Sequence, residues 1–499
     1  MASDAEYYRW KQNAFALYDL LYNHNVMWPS LCVCWGTPHA TKSVDDSASA
    51  PSQHRDGTSS INSSKTTAGK DGGAHSYSRF QTLYFSSRTD ARYNAKTRTW
   101  SGSPNFLLSA TVELFRPRCS NYKGIGRFNE MHKSGSIQIA KKISHPGEVN
   151  KIQLCPQNNH VVATHSDSEL TYVWNMKTQE HRVAGEDSVA SVPDLTLVGH
   201  QAISEYALAW NKVKPHVISG GSDNLVLIWS VEDHITSLSS PDASGGRAAS
   251  GEPARKKVRS SDGFTMVNPR CTFEGHTATV EDVEFHPSHA SGVVAASVGD
   301  DRSLRMWDGR QSGSSCCTHV LQDAHDDDIN CVTWNHFDEH VLATGSSDGV
   351  IQVYDTRKLG SSSSSSSPVT LKIDHAGETS LGNITSMRWS PHNSAVLAHG
   401  DDDAILCVWD TAKDDPLLFK HCGHRRGIVD FDWNSHSPWT IASMSDDGEL
   451  GGGTLQVWRI SDFVHSNDPN FFQEVEDALQ EASKPGEKGN DAHDSTSRK

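Results

Sequence analysis

Apolar positions recur along the chain with two different periods. At the N-terminus Tyr7, Trp10, Ala14, Leu17 and Leu21 follow 3-4-3-4 spacing, which predicts one buried face of a helix over residues 1–22. Ser3 and Glu6 stand at capping-box spacing before it. Tyr8, Phe15, Tyr18 and Tyr22 form a second stripe beside the first, covered either by a partner helix or by the protein's own body. From residue 31 the period changes to two: LCVCWG (31–36), RFQTLYFSS (79–87) and NFLLSATVELF (105–115) read as strands. Near the C-terminus FFQEVEDALQEA (471–482) returns to helical spacing and predicts a short helix.

Between residues 145 and 458 the strand pattern repeats. Each copy has a histidine, an apolar strand, a strand of small residues ending in an Asp turn, and a strand closing on Trp or Tyr. The tightest copies occupy 200–229, 276–307 and 325–354; looser ones occupy 145–174, 375–409 and 424–458. Successive histidines lie 55, 76, 49, 50 and 49 residues apart, somewhat above the period of WD40 blades, and loop insertions account for the excess. An Asp stands six residues before the closing aromatic in Asp223/Trp229, Asp301/Trp307, Asp348/Tyr354 and Asp403/Trp409. In such a fold that Asp accepts a hydrogen bond from the repeat histidine, so these His/Asp pairs are scaffold, not catalytic dyads. The three early strands make a seventh blade, expected to be completed by a strand from near the C-terminus so that the sheet ring has no free edge. The fold class expected is all-β: a seven-bladed WD40 β-propeller at 31–465, preceded by an N-terminal helix and lead-in segment (1–30) and followed by a C-terminal helix and tail (466–499).

Composition adds three points. With 45 Lys+Arg against 61 Asp+Glu the formal charge is −16, which argues against direct nucleic-acid binding and favours a basic partner. The segments 41–78, 237–263 and 360–368 are polar and Gly/Ser-rich, unable to offset their ordering entropy by burial, and read as projecting loops. Within the second, Arg255, Lys256, Lys257 and Arg259 form either a nuclear import signal or a solvated charge cluster. No run of about 18 apolar residues and no secretory leader pattern occurs, so an intracellular protein with no membrane partner is expected. The ten cysteines lack paired CxxC spacing and the sequence shows no phosphate loop or nucleophile elbow, so no metal, cofactor or enzyme activity is expected.

The strings EYYRWKQNAFALYDLLYNHNVMWPSL, SHPGEVN, PQNNHVVATHSDS, DLTLVGHQ, WSVEDHITSL, GHTATVEDVEF, MRWSPHN, GHRRGIVDFDWN and GGGTLQVWRISDF span almost the whole chain. On them the sequence resembles the RbAp/MSI family of WD40 histone-binding proteins, most nearly the plant FVE-type branch. The resemblance implies a nuclear, non-enzymatic partner of histones H3 and H4 within histone deacetylase or Polycomb-type complexes. It implies two surfaces. One is a histone-tail channel where the innermost strands begin, with Glu148, Asn150, Glu205, Tyr206, Glu281, Asp282, Asn330 and Asp430; Thr385 stands where a second aromatic opposite Tyr206 is expected. The other is a histone-helix groove with Leu17, Leu21, Asp414, Asp415 and Pro416, whose loop TAKDDPLLFK is shorter than in animal relatives. A different class remains open beside this one. Trp307, Asp308 and Arg310, and Tyr354, Asp355 and Arg357, are similar to the box by which substrate receptors attach to a cullin-ligase adaptor, or are ordinary repeat endings followed by a basic residue.

Overall fold

The computed structural model describes residues 4–39, 78–89, 91–115, 125, 134–182, 189–203, 206–239, 265–311, 313–359, 367–374, 382–446 and 452–465. Seven sheets form a β-propeller, each blade built of four antiparallel strands paired in order from an inner strand outwards. The inner strands are Val33–Pro38, Lys151–Leu154, Leu208–Trp210, Val280–Phe285, Ile329–Trp334, Ile384–Trp389 and Ile428–Trp433. Hydrogen bonds between neighbouring inner strands keep constant sequence offsets. Val332 and Trp334 donate to Asp282 and Glu284, and Val33 and Trp35 donate to Asp430 and Asp432. Adjacent inner strands therefore run parallel, and all begin at one rim of the ring.

Ring closure differs from the expectation in its direction. The first blade is completed by Ile137–Ser144, not by a C-terminal strand. It is the last blade that needs a partner from the other end of the chain. The expected helix over 1–22 stops at Leu17 (α1, Asp4–Leu17), and Tyr18–Val26 becomes a strand (β1) paired antiparallel with Gly453–Ile460, from Tyr18 opposite Ile460 to Val26 opposite Gly453. The non-local ladder wins over helical periodicity because it covers the outer edge of that blade, whose backbone donors would otherwise face solvent. Ser3 and the 471–482 helix lie outside the described residues, as do most of the three polar segments. The second of those segments begins later than expected: residues 237–239 close a helix, Glu232–Ser239, opened by Glu232 and Asp233 at its positive end and anchored by buried Leu238.

The repeat chemistry is that of the sequence pattern. His200, His276 and His325 each place Nδ1 2.9–3.1 Å from Asp223, Asp301 and Asp348. Their Nε2 atoms lie 2.6–2.7 Å from Ser219, Ser297 and Thr344. Trp307 Nε1 donates to the same Ser297 hydroxyl at 2.7 Å, so four side chains tie three strands of one blade. Burial pushes those three carboxyls up, but the histidine ring and backbone amides outweigh it and hold each below the usual carboxylate range. In the looser copies hydroxyls replace the acid: His424 meets Ser445 at 2.9 Å and Ser443 at 2.7 Å. His375, which would meet Asp403, lies outside the described residues.

Burial pushes His145 and His424 down to about 3, against an ordinary value of 6.5. Between pH 6.5 and 3 the unfolded chain takes up these protons and the folded chain refuses them, so stability falls as pH drops through that window. Each histidine contributes a slope of about 1.4 kcal/mol per pH unit. His424→Gln is expected to lower the pH slope of unfolding free energy by that amount between pH 4 and 6 in denaturant titrations; an unchanged slope contradicts the assignment.

Candidate histone-binding channel

The seven inner strands surround a central channel of about 1200 Å³. Among the described residues seven carboxylates and four Lys/Arg side chains line it, so its formal balance is acidic. At the rim where the strands begin, here the upper rim, the structure brings together Asn150, Tyr206, Glu281 and Asn330. Tyr206 is 42% exposed and presents its ring to solvent. Asn330 Nδ2 donates to the Ile384 carbonyl at 2.8 Å and to Ser347 at 2.9 Å, which fixes its amide. Glu205 lies outside the described residues, and Glu148 lies off the channel lining, paired with Arg88 at 3.0 Å.

Two of the expected tail acids serve the ring itself. Asp282 accepts the Val332 amide at 2.9 Å, joining the fourth blade to the fifth. Asp430 is 1% exposed; it accepts the Val33 amide at 3.1 Å and meets Lys151 Nζ at 3.3 Å and Arg388 Nη2 at 3.4 Å. Glu284 and Asp432, two residues further along the same strands, repeat the pattern through the Trp334 amide at 2.6 Å and the Trp35 amide at 2.8 Å. A carboxylate accepting a backbone amide across a blade junction satisfies two buried polar groups at once. The expected Tyr206 partner, Thr385, has its hydroxyl 2.6 Å from the Ile428 carbonyl and 3.1 Å from that of Gly400, another blade junction. No aromatic face stands there.

Sequence reasoning missed Lys151, Arg388, Glu284 and Asp432. The signal was present in strand alternation: Asp282/Glu284 and Asp430/Asp432 share a face in VEDVEF and IVDFDW, and Arg388 occupies the same kind of position in ITSMRW. Burial pushes Glu284 up to about 7 against the opposing pull of Lys212, and Asp432 up to about 6 against that of Arg388. The lower half of the channel is therefore less negative at neutral pH than its carboxylates suggest.

At the groove, the first stripe of α1 faces the propeller: Tyr7, Trp10 and Ala14 are buried in a cluster with Phe419, Phe431 and Trp458. Leu17 is partly buried there, and Leu21, now on β1, is buried in the same core and does not belong to a helix face. Of the second stripe, Tyr8 and Phe15 are 60% and 51% exposed, whereas Tyr18 is fully buried. Asp414 and Asp415 are exposed and Pro416 half-buried in the loop between Leu406–Asp410 and Leu417–His421. At the two box-like sites Trp307 and Tyr354 are fully buried, and Arg310 and Arg357 fold back onto Asp308 and Asp355, with Nε 2.9 Å from a carboxylate oxygen in each. This is the geometry of a repeat ending and does not favour a ligase-adaptor contact. Arg255, Lys256, Lys257 and Arg259 lie outside the described residues.

Residues 5–115 match the family model of the histone-binding protein RBBP4, a component of the CAF1 complex, and 191–230, 267–308, 315–355 and 371–410 match the WD domain, G-beta repeat model. The chain is 36% identical over 483 residues to the WD-40 repeat-containing protein MSI4 of Arabidopsis thaliana, covering 95% of this chain and 85% of the relative. With the seven-bladed ring, the docked N-terminal helix and the acidic channel, these matches show that the chain belongs to the RbAp/MSI family of WD40 histone-binding proteins.

Proposed function

We propose that this protein is a non-enzymatic nuclear adaptor that holds basic segments of histones H3 and H4 for a histone deacetylase or Polycomb-type complex acting in transcriptional repression. The observation that carries the reading is the acidic channel whose upper rim presents Glu281 beside the exposed ring of Tyr206. Charge-assisted hydrogen bonds from Lys or Arg to such a rim contribute about 1.5–3 kcal/mol each, and an aromatic face adds cation-π attraction. A second contact falls to the exposed Tyr8 and Phe15 of α1 together with the Asp414–Asp415 loop, a pairing of apolar and acidic groups suited to a basic amphipathic helix. Affinity purification of the tagged full-length protein from nuclei tests the assignment. Recovery of H3, H4 and deacetylase or Polycomb-type components is expected; a preparation containing none of them contradicts it.

A further inference from the structure

Below the upper rim the lumen changes sign. Lys151 from the second blade and Arg388 from the sixth both reach Asp430 of the seventh, at 3.3 and 3.4 Å. Arg388 is fixed twice more: its Nε donates to the Phe431 carbonyl at 2.8 Å and lies 3.9 Å from Asp432. Asp430 is nearly inaccessible, while the Lys151 and Arg388 side chains keep 18% and 26% of their exposure. What a visitor to this layer meets is therefore two cations whose counter-charge lies behind them. Both line the channel, and they approach one carboxylate from two separate blades, so the cationic layer lies between different sectors of the ring.

We infer that Arg388, with Lys151, is a specificity-determining cationic girdle that confines a basic peptide to the upper rim and excludes its Lys and Arg side chains from the lumen below. The inference rests on the proposed tail-binding role of the channel. It follows from charge placement: a guanidinium or ammonium passing Glu281 gains nothing from Asp430, which Arg388 and Lys151 already neutralise, and meets their like charge in a confined space where screening is weak. The channel's formal acidity thus overstates its attraction for cations, and the attractive part is the rim. Removing the girdle's charge is expected to strengthen binding of a basic peptide, the opposite of what loss of a contact residue does.

The test is titration of the full-length protein with an unmodified H3 N-terminal peptide. Arg388→Gln is expected to bind about tenfold more tightly than wild type, because the lumen gains net negative charge next to the bound cations. Arg388→Lys keeps the charge and is expected to bind as wild type does. Arg388→Gln combined with Asp430→Asn restores the charge balance and is expected to return the affinity to the wild-type value, with thermal unfolding of each variant confirming a folded propeller. If wild type binds and Arg388→Gln, folded, binds equally or more weakly, the girdle is overturned while tail binding stands. If neither wild type nor any variant binds the peptide, the tail-binding reading falls and the girdle with it.

Discussion

A chain lacking residues 1–26 does not yield a folded propeller. The deletion removes β1 and so exposes the whole outer edge of Gly453–Ile460, an unpaired strand that invites intermolecular pairing. It also removes Tyr7, Trp10, Tyr18, Leu20 and Leu21 from the interior. Five large side chains at roughly 2 kcal/mol each come to about 10 kcal/mol, comparable to the whole stability of a typical domain at ~5–15 kcal/mol. Polar ties go with them. Trp10 Nε1 donates to the Tyr18 hydroxyl at 2.6 Å, and that hydroxyl lies 2.7 Å from His421 Nδ1. The expected result is insoluble or protease-labile protein; a soluble fragment with a cooperative thermal transition like that of the full chain contradicts the closure described above. Trp10→Ala is the milder version, with an expected loss of about 3–5 kcal/mol in denaturant unfolding.

The second large effect falls on binding. Glu281→Lys reverses a charge at the upper rim without removing a tie between blades, since the amide-accepting role on that strand belongs to Asp282 and Glu284. Loss of one charge-assisted hydrogen bond and its replacement by repulsion is expected to weaken binding of a basic tail on the order of 50-fold, about 2–3 kcal/mol, with little change in thermal stability. Asp282→Asn is expected to behave the other way, costing stability because it weakens a bond to Val332. Equal affinity of wild type and Glu281→Lys for the tail excludes the upper rim as the contact.

The repeat was legible in the sequence because its restraints are local. A histidine, an Asp 23–25 residues later and an aromatic six beyond that come from one blade, and the tetrad at His276, Ser297, Asp301 and Trp307 has the geometry that spacing predicts. What was illegible depends on partners distant in sequence. Tyr18–Val26 carries both a helical and a strand pattern, and only pairing with 453–460 decides between them. The carboxylates at strand starts were recognisable as a ring, but Asp430 is engaged by an amide 397 residues away and by Lys151 and Arg388 from other blades. Glu148, read as a rim acid, is turned aside by Arg88 on the first blade. Sequence pattern thus located the channel's mouth and left open which of its acids are free of structural duty.

The measurement that bears most directly on the histone-adaptor account is calorimetric titration of the full-length protein with unmodified H3 and H4 N-terminal peptides at two salt concentrations. The account predicts saturable one-to-one binding that weakens as salt rises, because the rim acts through exposed charge. Absence of saturable binding to both peptides at low salt, by protein whose thermal unfolding shows it to be folded, contradicts it.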